Sequence, residues 1–214
     1  MRIALLFFFL LSISAVSLAD NSDYIIEPGV RVGPITALTT EEELVNIFGQ
    51  SNVITSNLHA GEVVYKGTIL FPDDPKKKLT ISWKDSNPNR NPASISIEGD
   101  ISRWATRDGV TLGTALEDIV RLNGGVIELN NEGDSWDFWG FYIHDIKGGV
   151  LKNLAGKGLF VKLGPKFSWP WEKKDRPDFW EERGKNGTIL SDHPGFRKTH
   201  YHVEYMSVNF DSRN

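Results

Sequence analysis

The sequence predicts an α+β fold made of two degenerate strand–helix–antiparallel-meander repeats, side by side or sharing a sheet. Three observations lead there. Helical periodicity is confined to two short segments, residues 39–49 and 114–124. Apolar and polar residues alternate through much of the rest. The strand-like stretches follow one another over short turns, which favours antiparallel meanders over strand–helix–strand crossovers.

Length and composition bound the reading. A chain of 214 residues is one large domain or two small ones. Charged residues are 24% and hydrophobic residues 40%, values of a folded globular chain. Lys and Arg number 24 against 28 Asp and Glu, a net charge of −4 that offers no electrostatic footprint for nucleic acid. Cysteine is absent, which excludes disulfides, thiolate nucleophiles and cysteine-based metal or iron–sulfur sites.

Residues 1–19 read as a signal peptide. Arg2 supplies a positive start, Ile3 to Leu11 is an unbroken apolar run, and Ser17 and Ala19 place small residues before a cleavage point at Asp20. An uncleaved N-terminal anchor is the alternative. The apolar run is too short to cross a bilayer of ~30 Å as a helix, and no second long one follows, so the mature chain is expected to have no membrane span. An exported chain without cysteine suggests a bacterial protein, periplasmic or secreted. The mature chain divides into a first repeat, residues 20–99, and a second, residues 100–214, the latter carrying an aromatic loop at 166–183.

In the first repeat, residues 30–33 read as a strand that leads into a helix from Thr39 to Phe48. Strands are expected at 53–54, 62–71 and 79–84, where Leu79, Ile81 and Trp83 alternate with Thr80 and Ser82. A polar loop is expected at 85–92 and a short strand at 94–98. In the second repeat the same lead recurs at 110–113, before a helix from Thr114 to Asn123. Strands are then expected at 126–129, 138–146, 150–151, 159–163 and 201–210. The two helical segments align without a gap. Thr39 with Glu42, and Thr114 with Glu117, have the spacing of capping boxes, in which each side chain satisfies a free backbone N–H at the other's position. Leu44, Val45, Ile47 and Phe48 make one apolar stripe, and Leu116, Ile119, Val120 and Leu122 the other. Gly49 and Gly124 stand where a left-handed residue ends a helix. Two unrelated short helices with common cap chemistry would share these features.

The Gly-x-Ile-Thr lead (Gly33 to Thr36), the capped helix and the closing Phe48-Gly49 resemble the repeated modules of the β-lactamase-inhibitor-protein and outer-membrane-assembly-lipoprotein (SmpA/OmlA) type. That resemblance covers about twenty residues per copy, and it implies a non-catalytic module that binds other proteins. A longer resemblance runs from Trp104 through Gly109 to Thr114, Leu122 to Gly124, Trp136 to Gly140 and Ser191 to Pro194. It is to an uncharacterised family of bacterial exported proteins, and implies no activity. Gly125-Val126 and residues 166–183 depart from that pattern.

Three groups of residues are candidate sites. Trp136, Phe138, Trp139, Phe141 and Tyr142 crowd one stretch, punctuated by Asp134, Asp137 and Asp145. They read either as a strand buried on both faces or as a platform for sugar or peptide. Residues 167–180 carry Phe167, Trp169, Trp171, Phe179 and Trp180 among prolines and charges, and read as a self-packed loop or a binding loop. Phe179 and Trp180 are the pair expected to be exposed. His200, His202 and Glu204 would share one face of a strand, the arrangement a metal needs, although a polar strand face accounts for them equally well. No metal and no cofactor are expected. Ser191 with His193 lacks a nucleophile elbow, and no glycine-rich stretch has phosphate-loop spacing.

The expected function is that of an exported, non-catalytic binding module, its partner a protein of the cell envelope. The alternative is a cell-wall glycan-binding or glycan-processing protein that uses the Trp and Asp cluster around Trp136.

Overall fold

The computed structural model describes residues 23–130, 141–143, 149, 151, 154, 157–165 and 188–210. The predicted signal peptide, the cluster at Trp136 and Trp139, and the loop with Phe179 and Trp180 lie outside the described residues.

The protein is mixed α+β with two sheets. β1 (Ile25–Glu27), β2 (Arg31–Val32) and β3 (Ile35–Thr36) form a small antiparallel meander. β8 (Ala105–Thr106) joins its free side, parallel to β1, giving the order β3-β2-β1-β8. The parallel pair corrects the expectation of antiparallel pairing alone. After α1 (Glu41–Phe48) come β4 (Val53–Ala60), β5 (Val63–Leu70), β6 (Leu79–Ser86) and β7 (Asn89–Glu98). After α2 (Leu116–Asn123) come β9 (Glu128–Asn130), β10 (Phe141–Ile143), β11 (Leu159–Pro165), β12 (Thr188–Leu190), α3 (Pro194–Thr199) and β13 (Tyr201–Asn209). One nine-stranded sheet holds them in the order β12-β9-β10-β11-β13-β7-β6-β5-β4. The two predicted regions thus share a sheet, joined where β7 and β13 pair antiparallel, Ser96 opposite Ser207.

Several local expectations are corrected. Residues 110–113 are not a strand. Residues 85–92 are not a loop, because β6 runs on to Ser86 and β7 starts at Asn89 across a tight turn. The helix starts also differ from the spacing. The capping box of α1 is Thr40 with Glu43, one residue later than Thr39 with Glu42: Thr40 Oγ1 accepts from Glu43 N at 3.2 Å, and Glu43 Oε2 accepts from Thr40 N at 2.8 Å. α2 is capped by Ala115 with no side-chain hydrogen bond. Thr39 and Thr114 instead close the preceding turns. Thr39 Oγ1 accepts from Thr36 N and Thr114 Oγ1 from Thr111 N, each at 2.9 Å. A hydroxyl that bonds a backbone N–H three residues earlier stabilises the turn and leaves the cap to the next residue. Gly124 ends α2 in the left-handed conformation expected, and Gly49 ends α1 with φ 86° and extended ψ.

Each helix start is also stitched to the last strand of the meander that follows it. Asn91 N donates to Thr39 O at 3.1 Å, and Val203 N to Thr114 O at 3.0 Å. Thr40 and Arg90 form an isolated bridge, as do Ala115 and His202.

The core lies on one face of the large sheet. Directly opposite residues of an antiparallel pair share a face. Leu159, Val208, Ile95 and Ile81 therefore form one buried row across β11, β13, β7 and β6. Leu44 of α1 and Leu116 and Ile119 of α2 are buried against this side. Ile119 joins Val110, Ile143, Leu151, Leu159 and Val161 in one apolar cluster. Phe196 of α3 packs edge-on to Tyr201, ring centroids 5.2 Å apart. Trp104, fully buried, meets Tyr24 edge-on and donates its Nε1 hydrogen to Lys77 O at 2.7 Å.

Candidate functional site

The other face of the nine-stranded sheet is crossed by none of α1, α2 and α3. Its side chains follow from register. Phe160, Ser207, Ser96, Thr80, Ile69 and Ile54 stand opposite one another in turn, one row over six strands. A neighbouring row is Tyr142, Lys162, Tyr205 and Glu98. On the other side lie Ser94, Ser82, Gly67 and Ser56. The middle of this outer face is consequently small and hydroxylic; the flank at β10 and β11 is aromatic, and the flank at β5 and β4 carries Ile69 and Ile54 with Tyr65.

The aromatic residues are held in place. Phe160 lies between Tyr142 and Tyr205, with centroid distances of 4.8 and 6.2 Å. The Tyr205 hydroxyl shares a hydrogen bond of 2.9 Å with Ser96 Oγ, and Ser82 Oγ donates to the Tyr65 hydroxyl at 3.2 Å. Tyr65 and Tyr205 thus each present a ring with its polar tip anchored, so little rotamer freedom remains to be lost on binding. Tyr65, Tyr142, Phe160 and Tyr205 are half-buried. Gly67 is required here because a Cβ would stand 2.6 Å from the backbone oxygen of Ile81, where the Leu58 side chain from β4 also lies.

The three predicted metal candidates do not form the one-faced set that the strand reading supposed. His200 is not in the strand: it ends α3 in the left-handed conformation, φ 46°. The register of β11 and β13 shifts at Lys162/Leu163, so Glu204 stands out of the alternation. Its carboxylate lies over Gly164 and pairs with Lys162 Nζ at 2.9 Å. His202 Nδ1 is buried without a hydrogen-bond partner. Among the described residues no group of three or more His, Asp or Glu could hold a metal ion. Burial pushes the Tyr201 phenol well up from its ordinary range, helped by the Glu204 charge.

Ser191 and His193 serve structure. Ser191 Oγ accepts from Ile127 N at 3.0 Å, and His193 Nδ1 accepts from Gly195 N at 3.0 Å, capping α3. Trp136, Trp139, Phe179 and Trp180 lie outside the described residues. The outer face was missed as a site, although its signal is present in Thr80-Ile81-Ser82 and in Ser94-Ile95-Ser96-Ile97. No helix of the described residues is long and apolar enough to cross a membrane. No protein-family model matches this chain, and neither a curated protein nor a solved structure matches it.

Proposed function

We propose that this chain is an exported, non-catalytic binding module that engages a protein of the cell envelope through the outer face of its nine-stranded sheet. The observation that carries the proposal is that, among the described residues, the helices cover one face of that sheet. α1, α2 and α3 pack on one face, and the other presents the anchored Tyr65 and Tyr205 around a floor of serine and threonine. Tyrosine gives large contact area at small entropic cost and is enriched at protein-binding surfaces, and serine beside it gives the adaptable hydrogen bonding that antibody paratopes use. The charged n-region and apolar run before Asp20 support export, and the resemblance of the helix-bearing segments to protein-binding modules supports a protein partner.

The two regions are, in this reading, degenerate copies. Its support is the recurrence of the Thr-x-x-Thr turn, the carbonyl bond from that turn to the last strand, and the isolated bridge at each helix cap.

The test places a photoreactive residue at Ser94, on the outer face, or at exposed Lys157 as control. Cross-linking in envelope extract should give one defined protein adduct from position 94 and none from 157. Replacing Tyr205 and Tyr65 with alanine should weaken the adduct's formation by at least about tenfold, since buried tyrosines are frequent hot spots. Retention on purified peptidoglycan with no protein adduct would favour the glycan alternative and overturn the protein-partner reading.

A further inference from the structure

Among the described residues, the longer of the two edge strands of the large sheet is β4. Its eight residues, Val-Ile-Thr-Ser-Asn-Leu-His-Ala, include no Lys, Arg, Asp, Glu or Pro. Its register with β5 runs without a break from Val53 opposite Leu70 to Ala60 opposite Val63. The opposite edge, β12, has three residues. Proteins blunt exposed edges with charge, proline, bulges or short length, because a free row of N–H and C=O groups templates another strand. β4 has none of these devices, and no described strand pairs with its free side.

We propose that β4 is the contact through which two copies of this chain pair, antiparallel and centred on Ser56. The argument for a second copy is self-complementarity. Residues opposite one another in an antiparallel pair share a face, so the axis must fall on a residue for the faces to match. With Ser56 at the centre, Ile54 of each copy meets Leu58 of the other on the outer face, and Thr55 meets Asn57 on the inner face. Moving the centre to Thr55 sets Ile54 against Ser56, and moving it to Asn57 sets Leu58 against Ser56. Of the three, the Ser56 register alone sets the two outer-face apolar residues, Ile54 and Leu58, against each other; next along, Val53 meets His59. Ile54 is 45% exposed, so it has surface to bury there. Pairing in this way continues one sheet into the next and places the two outer faces beside each other.

Sedimentation velocity of the purified protein over the micromolar range tests this. The expected result is a monomer–dimer equilibrium. Ser56→Lys or Ser56→Glu sets like charges face to face, and each alone should weaken association by at least about tenfold. An equimolar mixture of the two variants should restore the dimer. Far-UV circular dichroism checks that both variants fold. As a second measurement, Ser56→Cys introduces the only thiol of the chain. Mild oxidation should link Ser56→Cys chains in pairs, and should leave Lys157→Cys chains unlinked. A wild type that stays monomeric throughout, a dimer that either charge variant leaves intact, a mixture that fails to associate, or equal cross-linking at 56 and 157 would each overturn the proposal.

Discussion

α1 and α2 dock on the same sheet in opposite ways. α1 has three glutamates in its first turn, a complete capping box and a single buried residue, Leu44. Its first residue, Glu41, reaches the sheet: the carboxylate accepts from Thr55 Oγ1 at 2.9 Å, from Thr68 Oγ1, and from Asn89 Nδ2 at 3.0 Å. Trp83 Nε1 in turn donates to Thr68 Oγ1 at 2.8 Å. α2 has no capping side chain and buries Leu116, Ile119 and Asn123. Leu116 occupies the position in α2 that Glu41 has in α1, each the first helical residue. One helix is held by a satisfied polar network under its N-terminus, the other by apolar burial. The cap of each helix is bridged to a strand of the sheet, Thr40 to Arg90 and Ala115 to His202, yet different chemistry fills the two seats.

Breaking the apolar seat should have the largest effect. Leu116→Ala removes a fully buried side chain beneath α2 and should cost ~2–5 kcal/mol, read from urea unfolding. Losing less than the polar change described next would show that α2 is the more weakly held helix.

Removing the polar seat should cost less. Glu41→Ala leaves Thr68 and Asn89, both buried, without their acceptor, and should cost ~1–3 kcal/mol. Glu41→Gln keeps one acceptor oxygen and should cost less than Glu41→Ala. Equal losses for the two substitutions would mean that the side chain acts by packing alone.

The caps sharpen the contrast further. Thr40→Ala should cost ~1 kcal/mol, whereas Ala115→Asp should gain a similar amount by supplying the cap that α2 lacks. Thermal unfolding of both variants reads this directly. A loss on Ala115→Asp would show that the bridge to His202 has no room for a capping side chain.

The smallest expected effect is at the small sheet, where the two regions meet. Hydrogen bonds from Arg31 and then Arg107 hold the Glu27 carboxyl below the usual range. A depressed carboxyl stabilises the fold above its unfolded value, and the contribution disappears as pH falls through the folded value. The stability of the Arg107→Gln variant should therefore approach that of wild type below about pH 4, and lie slightly beneath it at neutral pH. A constant offset at all pH values would assign the effect to packing of the Arg107 stem.

How far the sequence could be read follows from these particulars. The alternation of Leu79, Ile81 and Trp83 with Thr80 and Ser82 was enough to sort core from surface, because side chains on a strand alternate by geometry alone. The acids of the first helical turns and the glycine after Asn123 marked the helix ends by local electrostatics and backbone sterics. The capping box slipped by one residue because two adjacent threonines, Thr39 and Thr40, each have a glutamate three residues on. Only the fold decided which hydroxyl closes the turn and which one caps.

What the sequence determined by itself was the local set: strand-rich α+β character, the two helices and the faces of the central strands. The tertiary structure alone decided which strands meet. Ser96 and Tyr205 share a hydrogen bond across 109 residues of chain, β12 returns to pair with β9, and β1 lies parallel to β8. The outer face, with Tyr65, Tyr142, Phe160 and Tyr205 around its serines, exists only through such pairings. A period of two states which side of a strand is buried, but it has no information about the neighbouring strand. Register between distant strands is set by the packing of the whole core.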